Sequence, residues 1–145
     1  MQNGSNNFIV HTKVWKDWKL IAKHHKGKEF QYFLPTNTDD LSDEIKIDSV
    51  QHLKAIKNSI LNALGSQIIE SIAKPYDRQP FLQVGWKIYK MRWAIDNKGQ
   101  SSGLRIIFCI NASNILLAYV ARKSDCAIET KLEKEFMTRI REYIN

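Results

Sequence analysis

The strongest constraint on the fold is a series of three short apolar segments in the second half of the chain, separated only by turns. Residues 86–95 and 104–110 are joined by the polar, glycine-containing stretch 97–103, and residues 115–121 follow the tight turn 111–114. Each segment has the length and apolar content of a strand, and such short connections join antiparallel neighbours. The sequence therefore predicts a three-stranded antiparallel meander.

The rest of the chain has a different hydrophobic period. Apolar residues recur every three or four positions over residues 13–25, 50–72 and 128–144, which is typical of helices that bury one face. The pattern predicts three helices, the second bent near Gly65, and residues 8–10 predict a short strand before the first helix. The expected fold class is α+β: an N-terminal strand, two helices, a three-stranded meander and a C-terminal helix. We expect the helices on one face of the sheet and the other face open.

The length and composition indicate one folded domain. The chain has 145 residues, of which 43% are hydrophobic, enough for a single core. We expect a flexible lead over residues 1–7 and an insertion or loop over residues 26–49. No signal peptide or apolar run of membrane-spanning length is visible, which predicts a soluble cytoplasmic protein. Two cysteines without a close-spaced motif predict buried or incidental thiols, and no metal-ligand pattern occurs.

The chain carries a formal net charge of +7. A cationic surface attracts polyanions such as nucleic acids, although the same charge can simply keep a protein soluble. The position of the charges along the strands has to separate these two interpretations.

Side chains alternate between the two faces of a strand, so the pattern predicts which charges share a face. Lys90 and Arg92 should lie on one face of the first meander strand, opposite Met91. Arg105 should point away from Leu104 in the second strand. Strict alternation in the third strand groups Tyr119 and Lys123 with Leu117, and Arg122 with Leu116, Ala118 and Val120, but it leaves open which group faces outward.

The segment from Trp86 to Asp125 resembles the core of RelE/HigB-like bacterial toxins. The shared elements are Lys90-Met91-Arg92 in a strand, a glycine- and serine-rich turn over 98–103, Gly103-Leu104-Arg105 opening the next strand, and the end of the third strand from Tyr119 to Lys123. The chain differs from the family in its additional residues 26–49, in Ser102 where a second glycine is common, and in Leu104, where the family often has tyrosine.

The resemblance implies a RelE-like fold and the toxin role of a toxin–antitoxin system. The activity that it implies is a metal-independent endoribonuclease that acts without a cofactor. Its partners would be RNA, which could be ribosome-bound messenger RNA, and a cognate antitoxin protein, with no membrane involved. The residues assigned to catalysis are Lys90, Arg92, Arg105, Tyr119 and Lys123, and those assigned to RNA binding are Lys16, Lys23, Lys87, Lys98 and Arg122.

The implied chemistry is attack of a ribose 2′-hydroxyl on the neighbouring phosphate. That reaction requires a base, stabilisation of the charged phosphorane and an acid at the leaving oxygen. Arginine suits the stabilising role because its planar fork pairs two phosphate oxygens; Arg105 is the first choice and Arg92 the second. Lys90 can act as the base where neighbouring cations lower its pKa, and Tyr119 can stack on a nucleobase or exchange a proton.

Each of these residues also has a structural interpretation. Lys90 and Arg92 can form the solvated side of a half-exposed strand, Arg105 can pair with a helix carboxylate, and Tyr119 can be a core residue. The alternative functions are a non-catalytic RelE-fold module that binds nucleic acid or protein, and a small accessory protein whose basic face docks an acidic partner.

Overall fold

The computed structural model describes residues 7–24, 43–48, 50–78, 81–94, 103–122 and 129–144. Within them the chain has a mixed α+β architecture, in which helices pack on a five-stranded sheet. The elements in chain order are β1 (Asn7–Val10), α1 (Val14–His24), α2 (Asp43–Asp48), α3 (Gln51–Gly65), α4 (Ile69–Ile72), β2 (Ala73–Pro75), a 3₁₀ turn (Leu82–Val84), β3 (Lys87–Trp93), β4 (Leu104–Asn111), β5 (Asn114–Arg122) and α5 (Glu129–Ile144).

The predicted meander is present as β3, β4 and β5, which pair in sequence order and antiparallel. The strand order across the sheet is β1-β5-β4-β3-β2, and β1 pairs parallel to β5. The turn between β4 and β5 holds Ala112 at a φ of 54°, in the left-handed region that tight hairpin turns use. The first and last strands of the described chain are therefore neighbours.

The structure corrects the prediction of a single helix over residues 50–72. Helix α3 ends at Gly65, and Gln67 adopts a φ of 59°, in the left-handed region that commonly follows the end of a helix. The short helix α4 then leads directly into β2, which pairs with β3 and makes the strand count higher than predicted. Pro75 helps to end the helix because the residue before a proline disfavours helical geometry, and proline is tolerated in an edge strand such as β2.

The prediction that all helices pack on one face of the sheet is wrong. One core cluster lies between the sheet and the N-terminal helices and contains Trp18, Ile56 and Phe108. A second lies on the opposite face, where α5 inserts Leu132 and Phe136 against the strands. Strand β4 contributes buried apolar residues to both clusters, which explains its nearly continuous apolar sequence.

A β-bulge in β5 corrects the predicted alternation of side chains. Ile107 pairs with Tyr119 while Phe108 pairs with Leu117, so Ala118 is an extra residue without a counterpart on β4. The extra residue exchanges the faces of the sheet on which the following side chains of β5 lie. Tyr119 therefore lies on the face of α5, opposite Leu117, instead of sharing a face with it.

Part of the predicted insertion is ordered structure. Residues 43–48 form helix α2, whose Ile47 is buried in the first core cluster. Residues 1–6, 25–42 and 49 lie outside the described residues, so the predicted lead and the rest of the insertion stay predictions. None of the helices in the described ranges is both long and apolar enough to cross a membrane.

Candidate nucleic-acid interface

Two arginines and a lysine emerge from adjacent strands on the same face of the sheet. Arg92 on β3 pairs directly with Arg105 on β4, and residues directly opposite in an antiparallel pair have Cβ atoms about 5 Å apart on one face. Lys90 is two residues before Arg92 and so shares that face, as the alternation predicts. Arg92 is exposed, while Arg105 and Lys90 are partly buried.

The unpredicted strand β2 adds a further cation to this group. Lys74 pairs with Lys90 across the β2–β3 ladder, so both side chains lie on the same face as the two arginines. The segment from α4 through β2 forms one wall of an open groove of about 770 Å³, and Lys90, Arg92 and Arg105 line its other side. The charged residues lining the groove are Lys74, Lys90, Arg92, Arg105 and Glu70.

An aromatic cluster fixes the position of Lys90 at one end of the groove. The Lys90 Nζ atom lies 3.9 Å from the centroid of the Tyr76 ring, within the range of a cation–π interaction. Tyr76 is itself held by a backbone hydrogen bond to the Ile88 carbonyl and by an edge contact with the Phe136 ring of α5. The ammonium group is thus anchored to the core that α5 forms with the sheet.

Beyond Tyr76, the next arginine in the described part of the chain is paired with a carboxylate. The Arg78 guanidinium lies 3.7 Å from the Tyr76 ring centroid, and its Nε donates a hydrogen bond of 2.8 Å to the Glu133 carboxylate. That contact lowers the pKa of Glu133, while burial, followed by the hydrogen bond with Glu133, raises the pKa of Tyr76. The Tyr76 hydroxyl therefore stays protonated over the physiological pH range.

Tyr119 lies on the same face of the sheet as Lys90, but it is held by different contacts. It is separated from Lys90 by Ile107, the residue between them across β4. Its ring packs 4.5 Å from the guanidinium carbon of Arg139 and contacts the second core cluster. Tyr119 is not among the groove-lining residues in the described part of the chain.

Arg139 is the centre of a buried ion-pair network. Its guanidinium makes two hydrogen bonds to the Asp17 carboxylate of α1, one to Glu135 and one of 3.0 Å to the Ala118 carbonyl in the bulge. Asp17 also accepts a hydrogen bond from the Val120 backbone N–H. Through this network α1, on one face of the sheet, is bonded to α5, on the other face, near the point where the β1–β5 ladder ends.

Of the residues assigned to RNA binding, the three whose side chains are described do not join the groove. Lys87 pairs with Ile110 and Arg122 pairs with Leu104, and both partners face the first core cluster, so these two side chains point to the opposite face from Arg105. Lys16 is exposed on α1, which packs on that opposite face. The Lys23 side chain and Lys98 lie outside the described residues, as does Lys123, which the resemblance assigns to catalysis.

The sequence reasoning missed Lys74 and Tyr76. Their alternation in Ala73-Lys74-Pro75-Tyr76 is the pattern of a short strand, with Lys74 and Tyr76 on one face. The helical periodicity before it and the proline within it obscured that signal. The structure thus adds one cation and one aromatic ring to the predicted group.

Comparison with known proteins finds no protein-family model, no curated protein and no solved structure that matches this chain. Within the described ranges, no three histidine, cysteine or acidic side chains gather in a group that could hold a metal ion.

Proposed function

We propose that the groove binds RNA and that the chain is an endoribonuclease, the toxin of a toxin–antitoxin system of the RelE/HigB-like type. The observation that carries the proposal is the direct pairing of Arg92 with Arg105 on an accessible face, beside Lys90. Four cations and one carboxylate line the groove, which favours a polyanionic ligand.

Two adjacent guanidinium groups suit the charge that develops during RNA cleavage. In the proposed reaction the 2′-hydroxyl oxygen forms a bond to phosphorus while the bond from phosphorus to the 5′-oxygen breaks. The products are a 2′,3′-cyclic phosphate and a free 5′-hydroxyl. Arg105 and Arg92 would pair with the non-bridging oxygens and stabilise the phosphorane more than the substrate, which is the requirement for faster cleavage.

Lys90 is the proposed general base and general acid of this reaction. As the neutral amine it would take the proton from the 2′-hydroxyl, and as the resulting ammonium it would deliver that proton to the leaving 5′-oxygen, so that the step is balanced without a further reactant. The contact with Tyr76 limits the freedom of the lysine side chain. A proton carrier held in one position loses less entropy in the transition state than a free one.

A cleavage assay tests this proposal directly. Purified chain is incubated in EDTA with an RNA containing all four bases, with its DNA counterpart, and with RNA whose cleaved site carries a 2′-deoxy sugar. We expect cleavage of the RNA only, and no cleavage at the 2′-deoxy position. Arg105→Ala should lower kcat/KM by about 10²- to 10³-fold, as does the removal of a transition-state donor in other enzymes.

Lys87→Ala is the matched control, because Lys87 is an exposed cation on β3 that points to the opposite face. Its kcat/KM should stay within about twofold of the wild-type value. Expression in bacteria gives a second measurement: the wild type should arrest growth, and Arg105→Ala should relieve the arrest. Equal losses of activity in the two variants would remove the groove as the catalytic centre.

The alternative proposal is a non-catalytic module that binds nucleic acid through the same groove. The observation in its favour is that the Tyr119 ring packs against Arg139, so the aromatic acid or base that the resemblance implies is not among the described residues that line the groove. Retention of labelled RNA without cleavage, lost in Arg105→Ala, would select this alternative. The proposed antitoxin would cover the same cations under either function.

A further inference from the structure

We infer that Lys74 binds the phosphate next to the one held by Arg92 and Arg105, so that the groove takes an RNA strand across two successive phosphates. The inference rests on the proposed function and adds a binding residue to it. It assigns a role to β2, the strand that the sequence did not predict.

The register of the sheet gives two rows of cations. Lys74 pairs with Lys90 in one row, and Arg92 pairs with Arg105 in the other. Residues 90 and 92 are two positions apart on β3, so the rows are separated by about 7 Å along the strand. The rows are also offset sideways by one strand spacing of about 5 Å, because the first spans β2 and β3 while the second spans β3 and β4.

The two rows are thus roughly 9 Å apart, and the flexible four-carbon stem of Lys74 can bridge from this spacing to the shorter one between successive phosphates of a nucleic acid. A phosphate on the Arg92–Arg105 row would place its neighbour at the Lys74 end of the groove. Lys90 lies between the two positions, with its ammonium directed to the Tyr76 ring. The lysine at the second position suits a non-reacting phosphate, because an ammonium is a flexible point charge, whereas the arginine forks suit the phosphorane.

The charged side chains around the groove favour this path for the RNA strand. Beyond Tyr76 the guanidinium of Arg78 is paired with the Glu133 carboxylate, so it offers little net charge to a third phosphate. Glu70 on the wall of the groove repels a backbone that would approach from the side of α4. Among the described residues that line the groove, the attraction for phosphate is therefore concentrated at two positions.

The test combines a protein variant with a neutral backbone linkage. The substrate is a DNA oligonucleotide with one ribonucleotide, which fixes the cleaved phosphate. A methylphosphonate, which carries no charge, replaces the neighbouring phosphates one at a time. For the wild type we expect one of these neighbours to lower kcat/KM by about three- to tenfold when neutralised, the effect of one solvent-exposed charge contact.

Lys74→Met should cause the same loss on the fully charged substrate and almost no further loss on the oligonucleotide neutral at that one position. The slope of log Kd against log salt should fall by about one in this variant. Lys54→Met, at an exposed position of α3 on the opposite face of the sheet, serves as the control and should respond to every substrate as the wild type does. Thermal unfolding should show unchanged stability, because Lys74 is exposed.

The outcomes separate the two proposals. If the wild type neither binds nor cuts RNA, the proposed function fails and this inference fails with it. If the wild type cuts RNA but the effects of Lys74→Met and of each neutral linkage simply add, Lys74 does not contact a neighbouring phosphate, and the inference fails alone. Coupling confined to one linkage supports it.

Discussion

Removing the guanidinium of Arg139 should strongly destabilise the fold. Arg139 is 5% exposed and hydrogen-bonds to Asp17, to Glu135 and to the Ala118 carbonyl. Arg139→Met keeps much of the aliphatic stem but leaves the Asp17 carboxylate and the Ala118 carbonyl without this donor. Breaking a buried ion pair from one side costs about 3–5 kcal/mol, and the 12% exposure of the Asp17 side chain places the expected loss near the lower value.

Urea unfolding followed by tryptophan fluorescence measures this loss, because the fully buried Trp18 is next to Asp17 in α1. A loss of about 3 kcal/mol corresponds to a fall in Tm of roughly 10 °C at this chain length. Lys134→Met, an exposed residue of the same helix, should change the unfolding free energy by less than about 0.5 kcal/mol. Asp17→Asn combined with Arg139→Met should destabilise by less than the sum of the single changes, because the residues share one interaction. A loss below about 1 kcal/mol for Arg139→Met, or full additivity, would refute the role of this network.

Two further predictions concern buried titratable groups. Burial, together with the nearby Arg139, lowers the pKa of His11 from its ordinary value of 6.5, so the unfolded chain binds a proton more readily than the folded one. The resulting stability is present above pH 6.5 and is lost as the pH falls through the lower folded pKa; urea unfolding should show a smaller fall between about pH 7 and pH 5 in His11→Asn, and equal falls would contradict this. Burial raises the pKa of the Cys109 thiol. In a Cys126→Ser background a thiol reagent should therefore label Cys109 only at the rate of unfolding, and rapid labelling of the native chain would show that the site is accessible.

The meander and the cation group could be predicted because they depend on local pattern. Short turns allow only antiparallel neighbours, and alternation places Lys90 and Arg92 on one face of β3 and Arg105 on the face of β4 opposite Leu104. That Arg105 shares the face of Arg92 and pairs with it depends on the register between the two strands. The second core cluster also has a signal in the sequence, because the nearly unbroken apolar run of β4 indicates a strand buried on both faces.

The remaining features depend on tertiary contacts that no local pattern specifies. The bulge at Ala118 is stabilised by hydrogen bonds from Arg139 to its carbonyl and from the Val120 N–H to Asp17, residues far away in sequence. Because strict alternation does not include the bulge, it places Tyr119 on the wrong face of β5. Strand β2 has only three residues, including Pro75, and its stability comes from pairing with β3 rather than from its own propensity.

The pair of Asp17 with Arg139 has a consequence for synthesis, because the two residues are 122 positions apart. A ribosome must synthesise α5 at least as far as Arg139 before the guanidinium can reach the carboxylate, and contacts of such long separation are slow to form. Until then the part of β5 around Val120 lacks the hydrogen bond from Arg139 to the Ala118 carbonyl. The ion pair that joins α5 to α1 therefore forms only after both helices and the sheet between them have been made.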